Sequence, residues 1–190
     1  MAGAFSITYT CFMLVPIGLD LSLTSTGFAC GEIRSAVAVK TKGPERLVQV
    51  TEAILDLATA IDGDKVCIIE GYAFASRNSQ AHSIGELGGV VRVELWKRDI
   101  PYVEVPPTVR AKFATGKGNA SKGEVLSAVS ARTGITWVGK GADDICDAFV
   151  LEEMGLTYLK RQRYEWPSLN RSALEKVDWT PISKALDESK

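Results

Sequence analysis

The sequence predicts an α/β domain, a mixed five-stranded sheet with helices on both faces. Three observations predict it. The first forty residues hold short apolar segments joined by brief polar connections, the pattern of an antiparallel meander. A continuous apolar run then follows in Lys65-Val66-Cys67-Ile68-Ile69-Glu70, the mark of a central strand buried on both faces. Around and after that run, segments with apolar residues spaced three and four apart alternate with strand-like stretches.

Each element can be justified in order. Phe5 to Cys11 alternates apolar and polar residues with period two, which fits a strand better than a spanning helix, and residues 1–12 read as an extension before Met13. Met13 to Leu23 reads as a buried strand ending in the polar turn Ser22-Leu23-Thr24-Ser25-Thr26-Gly27, and Gly27–Ile33 and Ser35–Lys40 complete the meander. Gly43-Pro44 breaks the chain. Leu47, Val50, Ile54, Leu55, Leu57 and Ile61 then give Glu45–Ile61 an amphipathic helical stripe. After the Asp62-Gly63-Asp64 turn and the central strand, Ser79–Lys97 is helical, and Ile100–Val105 is a strand closed by Pro106-Pro107. Residues 108–123 read as a loop, Glu124–Arg132 as a short helix and Ala142–Lys160 as a long one. From Arg161 the periodicity dissolves, so 13–160 is expected as one domain and 161–190 as a polar tail holding Trp166-Pro167 and Trp179-Thr180-Pro181.

Composition narrows the functional classes. With 46% hydrophobic and 24% charged residues, disorder and fibrous folds fall away. A balance of 22 Lys+Arg against 23 Asp+Glu gives a net charge of −1, so any nucleic-acid partner must be argued from local charge. Cys11, Cys30, Cys67 and Cys146 form no CxxC pair and have no histidine at zinc spacing, which suits buried free thiols in a reducing cytoplasm. The first nineteen residues carry no charge, but no basic segment precedes Asp20 as a signal peptide requires, and neither secretion nor a membrane span is expected. His82, the single histidine, falls in a helical segment with no nucleophile motif to pair with it, which argues against a Ser-His-Asp triad.

The chemistry gathers on carboxylates. Asp20 interrupts an apolar strand, Glu70 ends the central one, and Asp143, Asp144 and Asp147 open the last long helix. Each alone could be a cap or a solvated charge. Together they are costly to desolvate without compensation, and no run of Lys or Arg accompanies Asp20 or Glu70. Asp144 and Asp147 are three apart and project from one helix face. Hard divalent cations such as Mg²⁺ or Mn²⁺ take such oxygen ligands, and two ions about 4 Å apart stabilise both attacking and leaving oxygens of a phosphodiester.

These motifs in this order resemble the RuvC-type Holliday-junction resolvases of the RNase H-like superfamily. The resemblance rests on strand-borne Asp20 with its Ser/Thr turn and Gly27, on Ile68-Ile69-Glu70 with an aromatic close behind, on the Gly116-Lys117-Gly118-Asn119-Ala120-Ser121-Lys122 segment, and on Ala142-Asp143-Asp144-Ile145-Cys146-Asp147-Ala148. It runs from about Ile17 to Leu151. It implies a homodimeric endonuclease that nicks branched DNA, above all four-way junctions, with two Mg²⁺ per active site and Mn²⁺ as a substitute. It implies a metal-binding, catalytic tetrad at Asp20, Glu70, Asp144 and Asp147, the family's D-x-x-D spacing selecting Asp144 over Asp143. It also implies that Lys122 lies near the scissile phosphate.

Other features fit a DNA path. Arg110, Lys112, Lys117 and Lys122 follow Val105 without an intervening acid, placing positive charge where phosphates would be held. The segment fails as a Walker A motif, because Ser121 stands where the second Gly belongs and Gly123 replaces the Ser/Thr. Tyr72 and Phe74, with Arg77 beyond, could stack on an unpaired base at a branch. Ile84, Gly88, Val91 and Leu95 offer either a core stripe or an isologous dimer face. The rivals are another nuclease of the superfamily acting on flaps, forks or RNA–DNA hybrids, a non-catalytic branched-DNA-binding module, and an actin-like or sugar-kinase ATPase. The last needs a second copy of the domain, which 190 residues cannot supply.

Overall fold

A computed structural model describes residues 13–71 and 79–188, the side chains of 79–84 excepted. Five strands form one sheet: β1 (Leu14–Asp20), β2 (Thr26–Cys30), β3 (Ile33–Val37), β4 (Asp64–Glu70) and β5 (Tyr102–Val105), in spatial order β3-β2-β1-β4-β5. The first three pair antiparallel, while β1, β4 and β5 run parallel. Strand lengths are shorter than the apolar runs suggested, because the turns take up Leu21–Ser25 and the residues after Val37.

Helices cover both faces. α1 (Gly43–Thr59) and α2 (Ser79–Trp96) lie on one, where Ile17, Leu19, Phe28, Cys67 and Ile69 meet Val50, Ile54, Leu87, Val91 and Leu95. α3 (Pro107–Thr115), α4 (Lys122–Thr133) and α5 (Ala142–Tyr158) lie on the other, with Ala29, Ile68, Val103 and Val105 beneath them. Because strand side chains alternate, Gly18 and Asp20 share the α5 face with Ile68 and Glu70. That parity decides where the carboxylates point.

α5 approaches the sheet closely. A Cβ on Gly18 would overlap the Ala148 carbonyl, and one on Gly27 would overlap the Asp144 carbonyl. Glycine at these two positions lets the first turns of α5 sit directly over the ends of β1 and β2.

Two expectations are corrected. Residues 108–123 are not a continuous loop. Pro107 opens α3, where a missing N–H costs nothing, and Gly116 closes it at φ +84° in the left-handed region. Residues beyond Arg161 are not a solvated tail either. They form α6 (Ser168–Arg171), a 3₁₀ turn (Ser172–Lys176) and α7 (Thr180–Glu188), with Trp166, Ala173, Val177, Trp179 and Ile182 buried in the α3–α5 core. Glu152 and Glu153, both buried on α5, are paired by Arg163, and Trp166 Nε1 also donates to Glu153, so the segment is tied down by charge as well as area. Cys30, Cys67 and Cys146 are buried free thiols, the first two pushed up by burial to about 11 and about 12. Among the described residues, no helix is long and apolar enough to cross a membrane.

Candidate active site

The parallel pairing of β1 with β4 places Leu19 opposite Ile69, so Asp20 and Glu70 end neighbouring strands side by side. Both face α5, whose Asp147 comes down onto them one turn past the Asp144–Gly27 contact. Asp20 and Asp147 are buried, at 7% and 2% exposure. Three carboxylates therefore meet in a low-dielectric pocket at the carboxyl end of the sheet.

Their protonation reflects that crowding. Burial, then the charges of Glu70 and Asp147, push the Asp20 carboxyl well above its ordinary value. Burial raises Asp147 to about 7, with Glu70 adding to the rise and Arg110 opposing it. Such groups resist ionisation until a cation compensates them, and their oxygens are the hard donors a divalent ion takes.

The sequence missed the charge between them. Arg110, expected on an exposed loop facing phosphate, lies on α3 and is buried at 7% exposure. Its Nε donates to Glu70 Oε1 at 2.6 Å and its Nη1 donates to Asp147 Oδ1. Burial works against the charged guanidinium, yet Glu70 and Asp147 outweigh it and raise its pKa. The expectation that these carboxylates lack a basic partner is corrected accordingly. The signal was present as Pro106-Pro107 before and Gly116 after the segment, a helix start and stop that would have turned Arg110 inward. Among the described residues, no three acidic, Cys or His side chains are already spaced to share one ion, and Arg110 stands between two of the acids.

Asp144 sits at the edge of this pocket with Lys122. Lys122 Nζ lies 2.7 Å from Asp143 Oδ2 and 3.2 Å from Asp144 Oδ1. Asp143 is the more exposed of the two acids, and the bond from Lys122 lowers its pKa. Lys122 itself is raised, its two acid partners outweighing partial burial. It is placed by a capping box: the Ser121 hydroxyl accepts from Glu124 N while the Glu124 carboxylate accepts from Ser121 N, fixing the start of α4 over α5. Lys112 is half-buried and Lys117 exposed. Tyr72, Phe74 and Arg77 lie outside the described residues, as do the side chains of His82 and Ile84.

Of the stripe offered as core or dimer face, the described members turn to the core. Val91 and Leu95 are each 1% exposed and pack with α1, and Gly88 is buried. The outer side of α2 instead carries Gly89, Val93 and Trp96, the last 76% exposed. A groove of about 720 Å³ runs along it, lined in part by Pro44, Leu47, Gly89, Val90 and Val93.

No protein-family model matches the chain. The crossover junction endodeoxyribonuclease RuvC of Prochlorococcus marinus strain NATL1A is 27% identical over 157 residues, covering 76% of this chain and 98% of that protein. The protein of the same name from Chlamydia abortus is 35% identical over 112 residues, covering 58% of this chain and 66% of that protein. In fold, the chain is similar to T. thermophilus RuvC in complex with Holliday junction substrate, with a TM-score of 0.62 at 19% identity over 82% of this chain and all of that one.

Proposed function

The chain is a homologue of the RuvC-type crossover junction endonucleases with their RNase H-like fold, and on that premise we propose that it resolves four-way DNA junctions by metal-dependent phosphodiester hydrolysis. The observation that carries the reading is the meeting of Asp20, Glu70 and Asp147 at the carboxyl ends of β1 and β4, with Asp144 and Lys122 at the rim. Asp20, Glu70, Asp144 and Asp147 would hold two Mg²⁺ ions, with Mn²⁺ able to substitute. Bound there, such ions supply an activated water and stabilise the leaving oxygen.

The chain's own residues do the rest. Lys122 brings positive charge beside Asp144, where charge develops on the scissile phosphate. Lys112 and Lys117 hold backbone phosphates along α3 and the turn after it. Tyr72 and Phe74 follow β4 by two and four residues and would stack against bases opened at the branch, with Arg77 beyond them adding a DNA contact. Arg110 is withdrawn from this DNA-facing set, because both carboxylate bonds turn it inward. The free thiols agree with a reducing, cytoplasmic setting.

A four-way junction offers two equivalent strands and each chain carries one acidic set, so paired nicking calls for two chains about a two-fold axis. The apolar outer side of α2 with α1, through Gly89, Val93, Trp96 and Val48, is the face we assign to that contact.

Matched four-way, three-way, flap and linear DNAs with Mg²⁺ test the proposal. Symmetric nicks confined to the four-way substrate are expected. Preference for flaps or hybrids would favour another nuclease of the superfamily, and tight binding without nicking a non-catalytic binding module.

A further inference from the structure

Arg110 is a buried cation with two acidic partners on different elements. From α3 its Nε reaches Glu70 on β4 at 2.6 Å, and its Nη1 reaches Asp147 on α5. A guanidinium can do this because its donors form a rigid fork, whereas an ammonium is a single point charge. The helix beneath it is fixed from behind. The Phe113 and Trp166 rings pack tilted against each other with centroids 4.5 Å apart, and Asn170 Nδ2 donates to the Phe113 carbonyl at 2.7 Å.

The two oxygens it engages belong to the set assigned above to divalent ions, and this inference rests on that assignment. A guanidinium and a divalent cation cannot share them at close range without mutual repulsion in a buried site. Without any cation, Glu70 and Asp147 would either repel each other or hold a proton, and Asp20 beside them adds to the crowding. A positive charge between them favours their ionised forms and holds the two carboxylates together.

We propose that Arg110 is an exchangeable counter-cation: it holds Glu70 and Asp147 together until a divalent ion binds, and then gives up at least one of those oxygens. Arg110 is thus a positioning residue that acts through the two carboxylates. The exchange sets the divalent-ion concentration at which the site fills.

The test is calorimetric titration of Mg²⁺ into the full-length wild type, Arg110→Gln and the site control Asp20→Asn, together with the Arg110 Nε–H resonance followed in the wild type. Removing the competing charge should tighten Mg²⁺ binding at least about tenfold in Arg110→Gln. The Arg110 resonance, held by its bond to Glu70, should shift over the concentration range in which the wild type takes up Mg²⁺. A resonance unmoved at saturation overturns the proposal, and so does equal or weaker binding by a folded Arg110→Gln. If that variant does not fold, the wild-type resonance alone decides. A wild type that takes up no Mg²⁺ in a manner dependent on Asp20 removes the metal assignment itself and this inference with it, an outcome distinct from Mg²⁺ uptake with an unmoved guanidinium.

Discussion

Asp147 concentrates the electrostatics of the site in one side chain. Its carboxyl titrates at about 7 in the folded chain, against about 3.9 for an unfolded aspartate, chiefly because burial disfavours its charge. From about pH 4 to about pH 7 the folded protein thus holds a proton that the unfolded chain has lost. Without divalent ions, this group makes stability fall as pH rises through that window, by up to about 1.4 kcal/mol per pH unit. Asp147→Asn should remove that slope, and urea unfolding of both proteins across the window in chelator checks it. Parallel pH dependences would show that Asp147 is ionised throughout. At this scale the acids were legible, because a charge ending an apolar strand or opening a helix stands out in sequence. Arg110 was not, since its partners lie 40 and 37 residues away and are reached only once α3 is helical.

Among the elements, the packing of α5 on β1 and β2 sets the position of Asp144 and Asp147. Gly18 and Gly27 allow it, and a methyl at either would strike the α5 backbone, which cannot rotate aside as a side chain would. Gly18→Ala should cost about 2–3 kcal/mol by overpacking and abolish nicking through displacement of α5. Gly123→Ala in α4, where an added Cβ meets nothing within 4 Å, should leave stability unchanged or improved. Denaturant unfolding of the two variants tests the contrast, and equal costs would mean that α5 shifts freely. Most strands and the longer helices were legible from period two and period 3.6. α3 was not, because its apolar residues make no clean stripe: Val109, Arg110, Ala111, Phe113 and Ala114 are all buried. Its boundary residues, Pro107 and Gly116, held the information that its interior lacked.

For the whole molecule, the segment after Arg161 was the largest departure from the sequence reading. Its polar composition hides two tryptophans that each precede a helix and fill the same core as α3 and α5. The stripe offered as core or dimer face turns inward at Gly88, while Gly89 lies on the outer side of α2, where the proposed contact is assigned. Gly89→Arg should convert a dimer to a folded monomer, whereas Gly88→Arg should lower stability by forcing a charge into the core. Light scattering with circular dichroism separates these outcomes. A monomeric wild type that still nicks both strands of a junction would remove the two-fold argument.

The central claim is that Asp20, Glu70, Asp144 and Asp147 act as one metal-binding set on branched DNA. Its most direct test compares the wild type with Asp20→Asn, Glu70→Gln, Asp144→Asn and Asp147→Asn on a fixed four-way junction, nicking and binding being measured together in Mg²⁺. Each variant removes a ligand charge and little volume, so nicking should fall by at least about 10²-fold, the scale of lost metal ligation and charge stabilisation, while junction affinity stays near that of the wild type. Asp143→Asn should be milder, because Asp143 faces Lys122 and solvent. Near-wild-type nicking by any one of the four, or a greater loss from Asp143→Asn than from Asp144→Asn, would contradict the account.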